Sequence, residues 1–499
     1  MPKRVAVIDI GSNSARLVIY QRTSRYGFHL ITQQKSRVRI GEGAYQKGGL
    51  LQEAGVKRAF GALLAFSHTI KEYKVRKVHC IATSALRDAP NRSEFISLVK
   101  RELGIKIRVI NGEKEAFYGA IAAINLLPIK DAVTVDIGGG SADMALIKNR
   151  KIVKSISLNL GTVRLKELFS DKGELLSGGD RFIKEILKTL PEDFKSEVVV
   201  GIGGTSRALA KSIMKKDSYP FEKIHSFRYS FKKNRDYIEK IIKAPLKDLE
   251  KFAIKETRFD TIREGALIFL NILEHLGAKE VISSGVGVRE GVFLSDMLRN
   301  DKFKFPPNIN PSIRSIRDRF DILKLPEGNK KRVARELFDT LKGRFSGTEE
   351  EKRLLLDALN LSNIGKVLTI YKSHQHAFYI ASQELNFGFS HEDVLLISLL
   401  LRSRGDSLYY KPLYKRYKEL LPSKKKVKWL CFIYTLANIL YENSSEAKFG
   451  FEFDGESLII DSSKNLYLAA EEIASLEKPK GLKVLLREPP LKVDFKAFS

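Results

Sequence analysis

The stretch that most constrains this chain is Val133–Asp143, VTVDIGGGSAD. Three β-branched residues lead into Asp136, three glycines and a hydroxyl follow, and a second carboxylate, Asp143, closes the segment. Such a run reads as a buried strand that delivers a carboxylate to its end. The turn beyond lacks Cβ atoms, so its backbone N–H groups can approach an anion without steric interference. One glycine-rich turn is an ordinary loop in most chains. Here it has an echo in Val5–Arg16, VAVIDIGSNSAR, which again runs apolar strand, Asp9, Ile10, Gly11, then hydroxyl and amide side chains. Two copies of strand, aspartate and glycine turn predict two similar half-domains facing one phosphate.

A chain of 499 residues is too long for one core, and roughly 150 residues per domain gives three or four domains. The formal net charge of +28 points to a polyanionic partner: nucleic acid, a membrane surface or a phosphorylated substrate. The two cysteines, Cys80 and Cys431, are far apart and offer neither a disulfide framework nor zinc spacing, which suits a reducing cytoplasm. Asp9 interrupts the first apolar run before it reaches signal-peptide length. No segment approaches the roughly 18 uncharged apolar residues of a membrane span. A cytoplasmic protein without a membrane partner is expected.

The first half-domain, residues 1–125, reads as a three-stranded meander over 4–35, a helix over Gln52–Glu72, a strand at Lys77–Thr83, a loop SALRDAPN and a helix Ser93–Glu102. A strand Ile105–Asn111 and a helix Gly112–Ala123 complete it. The second, 126–302, repeats the plan with strands Ala132–Ile137, Met144–Lys148 and Lys151–Ser157. Further glycine turns follow at Gly201–Thr205, before a helix Ser206–Met214, and at Gly285–Gly291, before a helix Val292–Leu298. Strands that each lead to a glycine turn and a helix make an α/β pair with its cleft at the carboxyl ends of the strands. The proline-rich DKFKFPPNINPS at 301–312 marks a boundary. Beyond it, 303–430 is helical in period, and 431–499 turns toward an α+β region.

Seven segments together resemble the exopolyphosphatase and guanosine pentaphosphate phosphatase family: DIGSNSARL (9–17), ATSALRDAPN (82–91), NGEKEAFYG (111–119), VDIGGGSAD (135–143), LNLGTVRL (158–165), GIGGTSRALA (201–210) and SGVGVREG (284–291). They occur in the family's order and cover the first 300 residues. The resemblance implies a duplicated actin-like, RNase H-like α/β domain pair of the kind shared with acetate and sugar kinases and Hsp70. It implies Mg²⁺-dependent release of the terminal phosphate from inorganic polyphosphate, from guanosine pentaphosphate, or both, and a homodimer. Glu115 matches the family's catalytic carboxylate; Glu113, two residues earlier, is the competitor for that role.

The chemistry of the residues agrees. Hydrolysis of a phosphoanhydride needs donors for phosphoryl oxygens, a metal to neutralise charge, and a group that positions water. Gly11, Ser12, Asn13, Gly138, Gly139, Gly140 and Ser141 offer the donors, with Gly203, Gly204, Thr205 and Thr83 nearby. Asp9, Asp136 and Asp143 offer hard oxygen ligands to Mg²⁺. Arg16, Arg87 and Arg263 are candidate phosphate clamps, with Arg164, Arg207 and Arg289 in the same segments. The family usually has glutamate where this chain has Asp143 and threonine where it has Ala142, but neither change removes a charge.

The helical third resembles, less strongly, the HD-type domain of longer family members, over 361–390. Ser362 and Asn363 stand where that domain carries its His-Asp pair, which argues against metal hydrolysis there. His374 and His376 read as structural residues or polyanion contacts. The basic, tyrosine-bearing stretch Tyr410–Lys428 invites a nucleic-acid reading, but a track for the distal part of a polyphosphate fits better beside such an active site. Two other classes remain as alternatives: an ATP-dependent kinase on the same fold, against which the Glu115 segment argues, and a non-enzymatic sensor of alarmone or polyphosphate.

Overall fold

The computed structural model describes residues 3–44, 48–324, 328–403, 410–443 and 446–490. The chain forms two compact units, 1–311 and 312–499. In the first, the opening meander is β1 (Arg4–Ile10), β2 (Ala15–Arg22) and β3 (Phe28–Ser36). There follow α1 (Glu53–Glu72), β4 (Lys77–Ala82), α2 (Ser84–Asp88), α3 (Arg92–Leu103), β5 (Ile107–Val109) and α4 (Gly112–Leu126). The five strands make a sheet of order β3-β2-β1-β4-β5. Its β3-β2-β1 part is antiparallel and its β1-β4-β5 part parallel.

The second half repeats this. It contains β6 (Ala132–Ile137), β7 (Ala142–Lys148), β8 (Lys151–Leu158), α5 (Thr162–Leu168), α6 (Asp180–Leu187), β9 (Val198–Ile202) and α7 (Gly203–Lys216). Then come β10 (Arg228–Ser230), α8 (Phe231–Lys243), α9 (Ile262–Leu276), β11 (Glu280–Ser283) and α10 (Val288–Met297). The sheet order is β10-β11-β9-β6-β7-β8. Read from β8 inward, it has the same order and the same strand directions as the first sheet, with β10 added antiparallel at the far edge. The duplicated actin-like plan is therefore written in the topology itself.

The central strands are continuous apolar runs because both faces are covered: Val5, Ala6, Val7 and Ile8 of β1 and Val133 and Val135 of β6 are buried. One core lies against the first sheet, around Ile8, Leu17, Leu63 and Phe66. A larger one lies against the second, around Val135, Met144, Leu209 and Phe269. The other face of the second sheet is covered by α4, whose Ala116, Ala120, Ala123 and Ile124 meet Ala145, Ile147, Val200 and Ile202. Thus α4, at the end of the first half in sequence, packs on the sheet of the second. Conversely α10, from the second half, packs on α4 and β1.

Several local expectations shift. SALRDAPN is not all loop, because Ser84–Asp88 winds into α2. The strand expected over Ile105–Asn111 is confined to β5. Helix α7 begins at Gly203 and α10 at Val288, both earlier than the glycines suggest, so Arg289 is a helical residue, as Arg207 was expected to be.

The second unit is mainly helical: α11 (Pro311–Phe320), α12 (Gly328–Phe345), α13 (Glu349–Asn360), α14 (Ser373–Glu384), α15 (His391–Arg402), α16 (Lys411–Arg416) and α17 (Lys424–Asn443). It ends in β12 (Phe449–Phe453), β13 (Ser457–Ser462), α18 (Tyr467–Ser475) and β14 (Lys483–Arg487), with the three strands forming one sheet. Ser362 and Asn363 are buried, and the Ser362 hydroxyl accepts a 2.6 Å bond from the ammonium of the buried Lys330. His374 and His376 both lie on α14. In the basic stretch 410–428, Lys411, Lys415, Arg416, Lys418, Lys424 and Lys425 are exposed, while Tyr417 is buried and the Tyr414 hydroxyl donates to the Pro422 carbonyl at 3.3 Å. The Tyr417 ring packs inward, so it offers no stacking platform for bases. No helix among the described residues is long and apolar enough to cross a membrane.

Candidate active site

The carboxyl ends of β1 and β6 carry Asp9 and Asp136, and the same turn follows each. The Gly11 N–H donates to the Ser14 carbonyl at 3.1 Å, and the Gly138 N–H to the Ser141 carbonyl at 2.9 Å. The turns face one another so closely that a Cβ on Gly139 would stand 2.8 Å from the Ser12 Cβ. The Ser12 and Ser84 hydroxyls are 2.9 Å apart. Gly203 has φ +81°, and a Cβ there would lie 2.2 Å from Asp136 Oδ1. Only glycine lets the β9–α7 turn pass this carboxylate.

Between the turns lies a cavity of about 360 Å³. Of the residues singled out in the sequence, Asp9, Gly11, Ser12, Asn13, Arg16, Thr83, Glu115, Asp136, Gly138, Gly139, Gly203, Gly204 and Thr205 line it. Glu115 arrives on the first turn of α4, whose N-cap is Asn111 with its side chain accepting from the Lys114 N–H at 2.9 Å. A carboxylate is favourable at that position on the helix dipole. Glu113, on the same turn, is exposed to solvent and does not line the cavity.

Five expected site residues stand outside the lining. Gly140 and Ser141 lie behind it, where the Gly140 carbonyl accepts from Arg164 at 3.1 Å. Asp143 is buried with its two oxygens taken by the hydroxyls of Ser157 at 2.5 Å and Ser141 at 3.0 Å. Arg87 also stands behind, 3.4 Å from Glu115 Oε2 and 3.4 Å from the Ser141 hydroxyl. Arg263 is turned away, donating to the Ile242 carbonyl at 2.8 Å. The cation that reaches the cavity from that segment is Arg258, which rests on Gly204 so closely that a Cβ there would meet its guanidinium. Lys35, Arg37, Thr257 and Thr261 also line the cavity and were not singled out as site residues. Lys35 sits directly opposite Arg16 in the β2–β3 pairing, a neighbour that only the strand register reveals.

The charges sort into two groups. Burial pushes Glu115 well above the usual carboxylate range, and the charges of Asp143, Asp9 and Asp136 push it further, with Arg87 opposing them. Burial raises Asp9 against the pull of Arg289 and Arg16. It raises Asp136 to about 6 against the pull of Arg207, and Asp143 to about 7 against the hydrogen bond from Ser157. In the other group, burial and then Arg16, Arg258, Arg37 and Arg207 lower Lys35 to about 8. Burial lowers Arg207 to about 10, with Arg16 the largest charge acting in the same direction. Crowding of this kind is what a bound polyanion relieves.

Among the described residues no three His, Cys, Asp or Glu side chains form a ready-made metal cluster. Magnesium does not require one, because it binds one or two carboxylates and completes its shell with water and substrate phosphates. Asp9 and Asp136 fit that description: both line the cavity, and the charge of Asp9 helps to raise Asp136. Asp143, with both oxygens committed to serines, is placed behind them.

A family model described as "Ppx/GppA phosphatase family" matches residues 18–300. The bifunctional 3-dehydroquinate synthase/phosphatase of Fusobacterium nucleatum is 34% identical over 302 residues, which is 56% of this chain. The chain spans only 44% of that relative's length. The crystal structure of the Aquifex aeolicus Ppx/GppA family member shares 30% identity, covers 60% of this chain and 99% of its own, and has a TM-score of 0.52. An exopolyphosphatase from Cytophaga hutchinsonii, 24% identical with a TM-score of 0.54 over 59% of this chain and 98% of its own, shares the fold. With the matched region exceeding half its length and holding the Asp136 turn, Glu115 and the cavity cations Lys35, Arg207, Arg258 and Arg289, this chain belongs to the Ppx/GppA phosphatase family.

Proposed function

We propose that the first unit hydrolyses the terminal phosphoanhydride of inorganic polyphosphate and releases orthophosphate, with Mg²⁺ held by Asp9 and Asp136. The observation that carries this reading is the cavity's sorted charge: Glu115 stands among carboxylates, and Lys35 among guanidiniums. The first group suits a metal and a base; the second suits a chain of phosphates. Bound Mg²⁺ would neutralise charge on the phosphoryl oxygens. With the charges of Asp9 and Asp136 neutralised, Glu115 loses two of the three carboxylates that push it up, and it ionises nearer neutrality.

Glu115 then orients a water and takes its proton as the water oxygen bonds to phosphorus. The bridging P–O bond breaks, and its electron pair leaves on the shortened chain. N–H groups of the two glycine turns point donors at the phosphoryl oxygens, and Arg16, Arg207 and Arg289 compensate the departing charge.

Polyphosphate is favoured over guanosine pentaphosphate because, among the described residues, no aromatic side chain lines the cavity. A guanine base would find no stacking face there, and a bare phosphate chain needs none. The test is orthophosphate release from polyphosphate in Mg²⁺ by the full chain and by Glu115→Gln. Loss of a base of this type costs about 10²–10⁴ in rate, and binding of the chain should persist. Undiminished release by the variant would overturn the reading.

A further inference from the structure

We propose that the part of a phosphate chain too long for the cavity leaves it past the end of the outer strand β3, passing from Lys35 to Arg37 and Arg39, with Asp260 as the carboxylate these two arginines release. This deepens the phosphate-chain reading above and rests on it.

Strand β3 is the edge of the first sheet. Lys35, Arg37 and Arg39 occur at every second residue, while Val38 and Ile40 between and beyond them are fully buried. Lys35 lies in β3, which ends at Ser36, and Arg37 and Arg39 follow it, drawn to one side by the carboxylate they share, Asp260. The line begins inside: Arg16 and Lys35 are cross-strand partners, and both line the cavity. Lys35 makes no ion pair among the described residues, and the strongest charges acting on it are all guanidiniums. An anion is what that group lacks.

Arg37 is at the rim. It lines the cavity and also reaches across to the 257–260 segment, 3.0 Å from each oxygen of Asp260 and 2.9 Å from the Thr257 carbonyl. Arg39 comes next, 3.3 Å from Asp260 and 3.3 Å from Glu42. These pairs are a third or more exposed, and ion pairs in that setting contribute little. A phosphate chain, with more charge and more acceptor oxygens than one carboxylate, can displace Asp260 from both guanidiniums. Asp260 is then a placeholder that keeps two arginines extended along the lane when no chain occupies it.

The experiment is a binding ladder. Tripolyphosphate and long-chain polyphosphate are titrated into the full chain, Arg39→Gln and Asp260→Asn at several salt concentrations, with thermal melts to show that both exposed-site variants fold. Loss of the Arg39 contact should weaken long-chain binding by about tenfold more than tripolyphosphate binding. It should also reduce the steepness of the long-chain salt dependence by roughly 0.7. Asp260→Asn should tighten the long chain relative to the short one. Equal factors for both lengths, or weaker long-chain binding by Asp260→Asn, would overturn the lane. A wild-type chain that binds both lengths yet releases no orthophosphate would remove the hydrolase reading, while the length comparison would still decide the lane. Binding of neither length would overturn both.

Discussion

Arg87 was read from the sequence as a phosphate clamp, yet it touches Glu115 from behind the cavity, and the two roles predict different pH profiles. Its Nη1 lies 3.4 Å from Glu115 Oε2 and 3.2 Å from the Ile110 carbonyl, and its Nη2 lies 3.4 Å from the Ser141 hydroxyl. Two unit charges at that separation attract by about 5 kcal/mol in a medium of effective dielectric about 20. The side chains are 21% and 13% exposed, so screening and desolvation leave far less. A charged hydrogen bond typically nets about 1.5–3 kcal/mol. Arg87→Met keeps most of the stem and removes the cation that opposes the three carboxylates acting on Glu115. Glu115 then holds its proton to higher pH. The acid limb of kcat/KM moves up, and the rate near neutrality falls about ten- to a hundredfold. The assay is phosphate release from tripolyphosphate across the pH range, with Arg87→Lys as the control that keeps the charge. Recovery of the methionine variant at higher pH is the expected signature. A uniform loss at every pH, with the acid limb unmoved, would show that Arg87 acts by touching substrate and would refute the reasoning.

The other predictions concern backbone and stability. Gly203→Ala puts a Cβ 2.2 Å from Asp136 Oδ1 at a left-handed φ. It should cost about 1–2 kcal/mol for the backbone alone and lower kcat/KM by more than about tenfold as the carboxylate is displaced. Gly104→Ala, with φ +67° and open space around it, should lose stability but not activity, and equal behaviour of the two variants would contradict this account. Asp136 at about 6 and Asp143 at about 7 are raised in the folded chain, so their protonated forms favour folding. That contribution is complete below the ordinary carboxylate pKa and is lost as pH rises through about 6 and about 7. The metal-free chain should therefore lose a few kcal/mol of stability between about pH 5 and pH 8 by denaturant titration. Flat or rising stability over that window would count against the burial described here.

What the sequence made legible was local. At Asp9 and Asp136, β-branched and apolar residues specify the strand and glycine specifies the turn, and the folded chain closes both turns with the same hydrogen bond. The start of α4 at Gly112 was legible, but those of α7 and α10 were misplaced, because glycine signals a turn while tertiary packing decides where the helix begins. Gly291 shows this: a Cβ there would stand 1.8 Å from the Tyr118 carbonyl, so this glycine sits within α10 where the helix lies directly on α4. Cations that converge from separate elements were not legible. Lys35 needs the β2–β3 register to bring it beside Arg16. Arg258 needs the turn that lays it on Gly204, and one short segment sends Arg258 into the cavity and Arg263 away from it. Residue type alone does not separate two arginines five positions apart.

The exchange of helices explains why both copies of the fold are needed for one site. Asp9 belongs to the first sheet and Asp136 to the second, but Glu115 rides on α4, which the first half contributes and the second sheet holds. Arg289, a cation that pulls on Asp9, rides on α10, which the second half contributes and which packs on β1. That crossing is pinned from both sides. The Tyr20 hydroxyl of β2 donates to Glu290 at 2.5 Å, and the other oxygen of Glu290 accepts the Gly287 N–H at 2.7 Å at the start of α10. An isolated first half would present Asp9 without Arg289, and an isolated second half would present Asp136 without Glu115. The duplication therefore does more than repeat a phosphate-binding turn, since the second half supplies the Arg289 that pulls on Asp9 and the first supplies Glu115 on a helix seated on the second sheet.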